Sequence, residues 1–237
     1  MAPLFTNFRF GFGRDVSGSG VAGNPFSGTG GEVSAGVSPG NGYTYHYWKT
    51  NGNFTVSPGY SSAGPGIDIL VVASGGSGGP RSGGGAGAGG IALGQNVPIP
   101  IATAGSAIPV NVGQSPGISP GGENPGISGN DSTFGAGPDN YYMLGYRGAF
   151  GQSDGPNMQG GSGGGGHYNN DGTEGIQPTK NPGKPWVTNY GSDGGIGGGV
   201  VATSADAYRP AVSLSLGQHF VLVRMQSDLE EDFLTFC

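Results

Sequence analysis

The chain has 237 residues, 55 of them glycine and 18 proline, with 10% charged residues and a net charge of −6. Glycine plus proline near three residues in ten marks low-complexity chains, yet 34% apolar residues with 11 Phe, 10 Tyr and 2 Trp exclude simple disorder, since disordered chains are poor in aromatics and rich in net charge. Nine basic residues against fifteen acidic ones exclude the electrostatic footprint of a nucleic-acid binder. The sole cysteine, Cys237, excludes a disulfide framework and a cysteine zinc site. The longest apolar run, Ile69–Ala73, is far too short for a membrane-spanning helix, so no membrane partner is expected.

Residues 1–40 read as an aromatic-rich arm and linker. Phe8, Phe10 and Phe12 alternate as on one face of a strand, with Phe5 just before them. The opening MAPLFTNFRFGFGRD lacks the apolar core of a secretory signal.

The body is expected over 41–224. Tyr43–Trp48 is strand material, Asn51-Gly52-Asn53 reads as a hairpin turn, and Phe54–Ser57 as the returning strand. Ile67–Ala73 reads as a core strand. Val97–Ile101 and Ala107–Val112 form a candidate pair, Ser132–Phe134 and Tyr141–Tyr146 are shorter strands, and Val212–Leu216 with His219–Arg224 reads as a closing hairpin. No stretch carries an apolar 3.6-residue period long enough for a helix. Residues 225–237 form a tail with Asp228, Glu230, Glu231 and Asp232, among which Leu229, Phe233 and Phe236 suggest docking to a partner.

Between the strands lie glycine tracts at 75–90, 160–166 and 191–199. Glycines recur every third position at 84, 87 and 90 and at 191, 194 and 197. That spacing predicts extended helices of three residues per turn, packed through glycine faces. Ordering a glycine costs more backbone entropy than ordering other residues. Ordered tracts therefore need backbone hydrogen bonding or neighbouring subunits, and a multi-copy or self-associated protein is expected. The fold class predicted is all-β: a small glycine-rich sandwich or barrel-like body, with long glycine loops or polyglycine-II segments, an N-terminal arm and a C-terminal tail.

The order of motifs resembles a glycine-rich domain of tail-fibre and virion-appendage proteins of marine and cyanobacterial phages. An aromatic strand, Tyr43–Trp48, is followed by Gly52-Asn53-Phe54-Thr55-Val56 and then by Asp68-Ile69-Leu70-Val71-Val72 running into glycine. Gly87-Ala88-Gly89-Gly90, Val110-Asn111-Val112-Gly113, Ser132-Thr133-Phe134-Gly135 and Phe220–Arg224 continue the pattern. The stretch 137–190 departs from it, being richer in aromatic residues than the family's glycine tract. The resemblance implies a structural virion protein, assembled in the host cytoplasm with other virion proteins as partners. A tail, baseplate or tail-fibre component is the leading reading. A capsid decoration protein is the alternative and a glycine-rich extracellular structural protein a further one. Phe5, Phe8, Phe10, Phe12, Leu229, Phe233 and Phe236 are the expected docking residues.

Enzymatic signatures are weak. Gly161-Ser162-Gly163-Gly164-Gly165-Gly166 satisfies G-x-G-x-x-G, but turn residues follow it where a nucleotide site needs a helix. His46, His167 and His219 lack metal-ligand spacing. Asp68, inside an apolar strand, reads as an edge carboxylate or one bonded to loop N–H groups. No catalytic residue, cofactor or metal is expected. Tyr141, Tyr142, Tyr168, Asn169, Asn170 and Trp186 supply the side-chain types of a glycan- or receptor-contacting surface on a host.

Overall fold

Period-two apolar alternation produces two antiparallel sheets. The computed structural model describes residues 27–34, 43–58, 66–79, 84–100, 103–117, 126–151, 159–166, 175–191 and 220–226. The strands are β1 (Gly28–Thr29), β2 (Glu32–Ser34), β3 (Tyr43–Trp48), β4 (Gly52–Val56), β5 (Ile67–Val72) and β6 (Ile91–Val97). They continue with β7 (Ala107–Asn111), β8 (Ser132–Phe134), β9 (Met143–Gly145), β10 (Val187–Tyr190) and β11 (Phe220–Gln226). One sheet has the order β1-β4-β7-β8-β9, the other β10-β6-β5-β11-β3-β2. Among the described residues there is no α-helix; a 3-10 turn lies at Gln177–Thr179.

The sheets meet through their inward residues. Ile67, Ile69 and Val71 of β5, Val221 and Val223 of β11, Phe54 and Val56 of β4 and Val110 of β7 are fully buried. An aromatic chain runs through this core. Phe54 stands edge-on to His46 (5.4 Å between ring centroids) and Trp48 (6.0 Å), and lies 6.1 Å from Phe134. Phe134 in turn lies 6.3 Å from Tyr141. Such ring pairs add about 0.5–1.5 kcal/mol each beyond the area they bury.

Three sequence expectations are corrected here. The Asn51-Gly52 turn does not make a hairpin. β3 pairs with β2 and β11, while β4 pairs with β1 and β7 in the other sheet. Trp48 packs against Gly52, where a side chain would strike its indole, and so directs the chain across the core. Likewise Val97–Ile101 does not pair with 107–112. Val97 ends β6, and β7 lies between β4 and β8. The strand predicted at Tyr141–Tyr146 is confined to Met143–Gly145. β11 lies between β5 and β3, and the expected strand Val212–Leu216 falls outside the described residues.

The chain crosses between sheets again at 27–34, from β1 to β2. Gly30 and Gly31 make this corner with φ of 122° and 61°, backbone that other residues rarely adopt. The His46 ring lies beneath, its Nδ1 donating to the Gly30 carbonyl oxygen at 2.7 Å.

At one end of the sandwich the two-residue repeat changes to a three-residue one. Segments 73–79, 84–90, 126–131, 146–151 and 160–166 continue or precede β5, β6, β8 and β9, or lie beside them, and bond to one another in steps of three. Ala73, Gly76 and Gly79 donate to Gly90, Gly87 and Gly84. Ser74 and Ser77 donate to Asn130 and Ile127. Gly148 and Gly151 donate to Ser74 and Ser77 and accept from Gly129 and Gly126. Gly87 and Gly90 donate to Ala149 and Tyr146, and Ser162 and Gly165 to Ala88 and Gly85. This is a polyglycine-II-type bundle, as the spacing of Gly84, Gly87 and Gly90 predicts. Its cohesion is main-chain amide to main-chain carbonyl, so a methyl group is an intrusion. A Cβ at Gly87 would fall well inside 3.0 Å of the Ser162 carbonyl, and one at Gly151 would collide with the Gly84 carbonyl.

The molecule therefore has two unlike ends. Gly79, Gly84, Gly126, Gly151 and Gly166 mark the far end of the bundle. At the opposite end, the base, Gln226 pairs with Tyr43, and Ser57 N donates to Ser27 O at 2.9 Å. Ser27 and Gln226 thus both lie at this base.

Gly87→Ala should lower stability by about 1–3 kcal/mol through overpacking. At Gly85 an added Cβ meets nothing within 4 Å, so Gly85→Ala should be neutral or stabilising by up to about 1 kcal/mol. Thermal melts of the two variants check this; equal effects would mean the bundle does not pack through its glycine backbone.

Candidate functional site

The far edge of the five-stranded sheet is closed by side chains rather than a strand. Gln177, fully buried at the 3-10 turn, accepts from Tyr146 N at 2.7 Å and donates to Leu144 O at 3.0 Å and Asn189 Oδ1 at 2.9 Å. Asn181 accepts from Leu144 N at 2.8 Å and donates to Leu144 O at 3.0 Å and Asn189 Oδ1 at 2.7 Å. Asn189, on β10, donates to Lys180 O at 2.9 Å. Three amides thus complete the ladder of β9 and join it to the edge of the other sheet. Asn181 holds φ of 57°, a conformation asparagine tolerates better than most residues. Sequence reasoning missed this cluster, because carboxamides 4 to 12 residues apart carry no periodic signal.

At the base, Lys184 lies between two rings. Its Nζ sits 5.1 Å from the centre of Tyr142 and 5.6 Å from that of Trp186, and donates to the Tyr142 carbonyl oxygen. Burial pushes the Lys184 ammonium below its usual pKa, with Asp139 acting the other way. Burial raises the Tyr142 hydroxyl, and the Asp131 carboxylate adds to the shift. Both rings are half-buried, and Trp186 also packs against the core. A cation held between aromatic faces is worth about 0.5–2 kcal/mol, more as it loses water. A second such stack holds Tyr146 between Lys180 Nζ (4.2 Å) and the Arg147 guanidinium (5.3 Å). Arg147 is bidentate to Asp131, at 3.1 and 3.2 Å.

Of the six residues expected to contact a host surface, the structure brings Tyr142 and Trp186 together around Lys184. Tyr141 instead belongs to the core, 7% exposed against Phe134, so its ring is not an open stacking face. Tyr168, Asn169 and Asn170 lie outside the described residues. The expected docking residues Phe5, Phe8, Phe10, Phe12, Leu229, Phe233 and Phe236 also lie outside the described residues.

The remaining motifs have structural partners. Within the G-x-G-x-x-G match, Gly161, Ser162 and Gly165 donate to Arg147, Ala88 and Gly85 of the bundle. Asp68 accepts from the Asn96 backbone N–H at 2.8 Å, beside a register shift between β5 and β6. His46 is buried in β3; His167 and His219 lie outside the described residues. No group of three or more His, Cys, Asp or Glu able to hold a metal occurs among the described residues.

Two sheets closed by a three-residue-repeat bundle define a glycine-rich all-β domain. The chain belongs to the glycine-rich domain family, whose model matches residues 49–220. No curated protein and no solved structure matches it.

Gln177→Ala would strip Tyr146 N of its Gln177 acceptor and leave Leu144 O with Asn181 alone. A loss of about 2–4 kcal/mol is expected, measurable by denaturant unfolding, whereas Thr179→Ala at the exposed turn should cost under about 1 kcal/mol.

Burial, with a hydrogen bond to Asp139 and that residue's charge, pushes Tyr141 up to about 12. An unfolded tyrosine ionises near 10. The stabilising contribution is therefore complete below pH 10 and is lost as pH rises toward 12, by on the order of 2–3 kcal/mol. Unfolding titrations from pH 9 to 12 should show this slope in the native chain and a shallower one in Tyr141→Phe.

Proposed function

We propose that this chain is a non-enzymatic structural protein of a bacteriophage virion, a tail, baseplate or tail-fibre component present in several copies. The observation that carries this reading is axial polarity. Ser27 and Gln226, the described residues next in sequence to the arm and the tail, both lie at the base, and the glycine bundle stands at the opposite end. An attached appendage needs that division of labour, with apolar anchors at one end and a self-supporting platform at the other. The motif order quoted above supports the phage setting. A host-adhesion role, on this reading, belongs to Tyr168, Asn169 and Asn170, which follow Gly166 in sequence.

Arm docking is apolar in this proposal. Full burial of a Phe contributes about 1.5–3 kcal/mol, whereas an exposed ion pair contributes about 0–1. Deleting residues 1–20 should leave a soluble, β-rich protein and abolish its incorporation into particles. Phe10→Ala should impair incorporation more than Arg9→Ala. Quantitative immunoblots of purified particles measure both; full incorporation of the truncated chain would overturn the proposal.

A further inference from the structure

Positive charge gathers on one flank of this acidic chain. Of the five lysines and arginines among the described residues, Arg147, Lys180 and Lys184 stand beside β9, Lys49 and Arg224 being the other two. All three rest on rings, Lys184 on Tyr142 and Trp186, Lys180 and Arg147 on Tyr146. Energetically significant cation–ring pairs occur about once per 70–80 residues, so four along one strand set this flank apart from an ordinary surface. Burial alternates along it: Tyr142, Leu144 and Tyr146 are half-buried, Met143 and Gly145 buried. Tyr142 and Tyr146 therefore share the outward side, four residues and about 13 Å apart at ~3.3 Å per residue.

The charges at the two rings are not balanced alike. Arg147 is answered by Asp131, and Asp139 acts on Lys184. Lys180 Nζ has no carboxylate or carbonyl partner among the described residues and sits 4.2 Å from the centre of the Tyr146 ring. A ring positions an ammonium without neutralising it, so Lys180 is a fixed charge that lacks a counter-ion. The main chain of Leu144 is closed to an added strand, since Gln177 and Asn181 already bond its N–H and carbonyl. An occupant of this flank is held through side chains.

We infer that the acidic segment Asp228–Asp232 of a neighbouring copy lies extended along this flank, its carboxylates on Lys180 and Lys184. The inference deepens the multi-copy part of the proposed function and rests on it. Residues 227–237 lie outside the described residues, and their sequence carries the fit. Asp228, Glu230 and Asp232 recur at every second position, which puts them on one side of an extended chain. Asp228 and Asp232 then stand about 13 Å apart, the separation of the two rings. The match holds in either chain direction, and no base interrupts it. The chain's own tail fits less well. β10, which follows Lys184, is three strands from β11 in the order β10-β6-β5-β11, about 14 Å at ~4.8 Å per strand. Extended residues span at most about 3.6 Å each, so Ser227–Glu230 would be taken up in reaching Lys184 and Lys180 would be left without an acid. Tail and flank are different surfaces, so the contact between copies is heterologous, and its repetition closes a ring or extends a filament.

Sedimentation of the purified full chain in reducing buffer at low salt should give masses above the 23.5 kDa of one chain, rising with concentration. Deleting residues 227–237 should leave the single mass. Lys180→Gln and Asp232→Asn should each weaken association about two- to fivefold, the effect of one exposed ion pair. Glu231→Gln, on the other side of the extended segment, should weaken it less. Lys49→Gln, which removes a cation from the Tyr47 ring on the other sheet, should change nothing. Acrylamide quenching gives a second measure. Trp48 is buried and Trp186 half-buried, so quenching reports on Trp186, which association should protect and tail deletion expose. Asp232→Asn alters no described residue, so the test stands even where Lys180→Gln fails to fold. A monomeric full chain would overturn the inference, whether its Trp186 is open or protected by the chain's own tail. Association that survives tail deletion would also overturn it, as would Glu231→Gln proving as damaging as Asp232→Asn. Because the test uses purified protein, a monomer that still enters particles would sink this inference and leave the virion reading standing.

Discussion

Everything in this molecule follows from one contact, an amide of one glycine segment against a carbonyl of another at a distance that leaves no room for a Cβ. A β-strand has hydrogen-bonding partners on two sides only. A segment with a three-residue repeat turns its donors and acceptors toward more neighbours. Segment 146–151 bonds to 73–79, 84–90, 126–131 and 160–166. That is how two sheets, which in a sandwich face each other without a shared ladder, become joined through their main chains at one end. The glycine content is the requirement of this junction, since side chains on its inner faces would hold the segments apart.

The junction constrains its neighbours. Ser74 and Ser77, three residues apart, each donate through the main chain to the 126–130 segment and accept from it through the side chain. Asn130 N bonds to Ser74 Oγ and Ile127 N to Ser77 Oγ, both at 2.7 Å. A hydroxyl on every third residue is the one side chain that reinforces the step instead of blocking it. The Gln177–Asn181–Asn189 cluster does the same work at the edge of β9, where the strand ends and bundle bonding begins. Gly90 sits against Gln177, and Gly191 against both Gln177 and Gly161. Clamp and bundle are thus one packing unit, and weakening either loosens the end of both sheets.

The elements legible in the sequence were those with local signals. Tyr43–Trp48, Phe54–Val56 and Ile67–Val72 alternate or run apolar, and they are strands. Three-residue spacing is legible for the glycines of 84–90 and for the serines of Ser74-Gly75-Gly76-Ser77-Gly78-Gly79. β6 was hidden because Gly94, Gln95 and Asn96 break its apolar run, and the positive φ of 55° at Asn96 marks the distortion. Val187–Tyr190 is only four residues long and carries no apolar run. Pairing was illegible throughout, because β11 inserts between β5 and β3 from more than 140 residues away. The Asn-Gly turn misled for the same reason: local turn chemistry fixes that the chain reverses, not which sheet receives it. For the candidate site, residue types suggested Tyr142 and Trp186, but only the fold shows Lys184 between them and Tyr141 inside the core.

A bundle whose cohesion resides in the main chain has a property that side-chain cores lack. Replacing a core leucine alters packing around it, and the change propagates. The main-chain bonds of the described bundle reach as far as the Gly79–Gly84 and Gly126–Gly151 pairs. Stability there is set by glycines and serines. The base has the opposite design, with Lys184 desolvated between rings and Tyr141 buried beside Asp139, so changes there reach the core directly. A protein that must stay fixed at one end and present variable chemistry at the other is served by this division, which is why the polarity of the fold, more than any single side chain, supports the appendage reading.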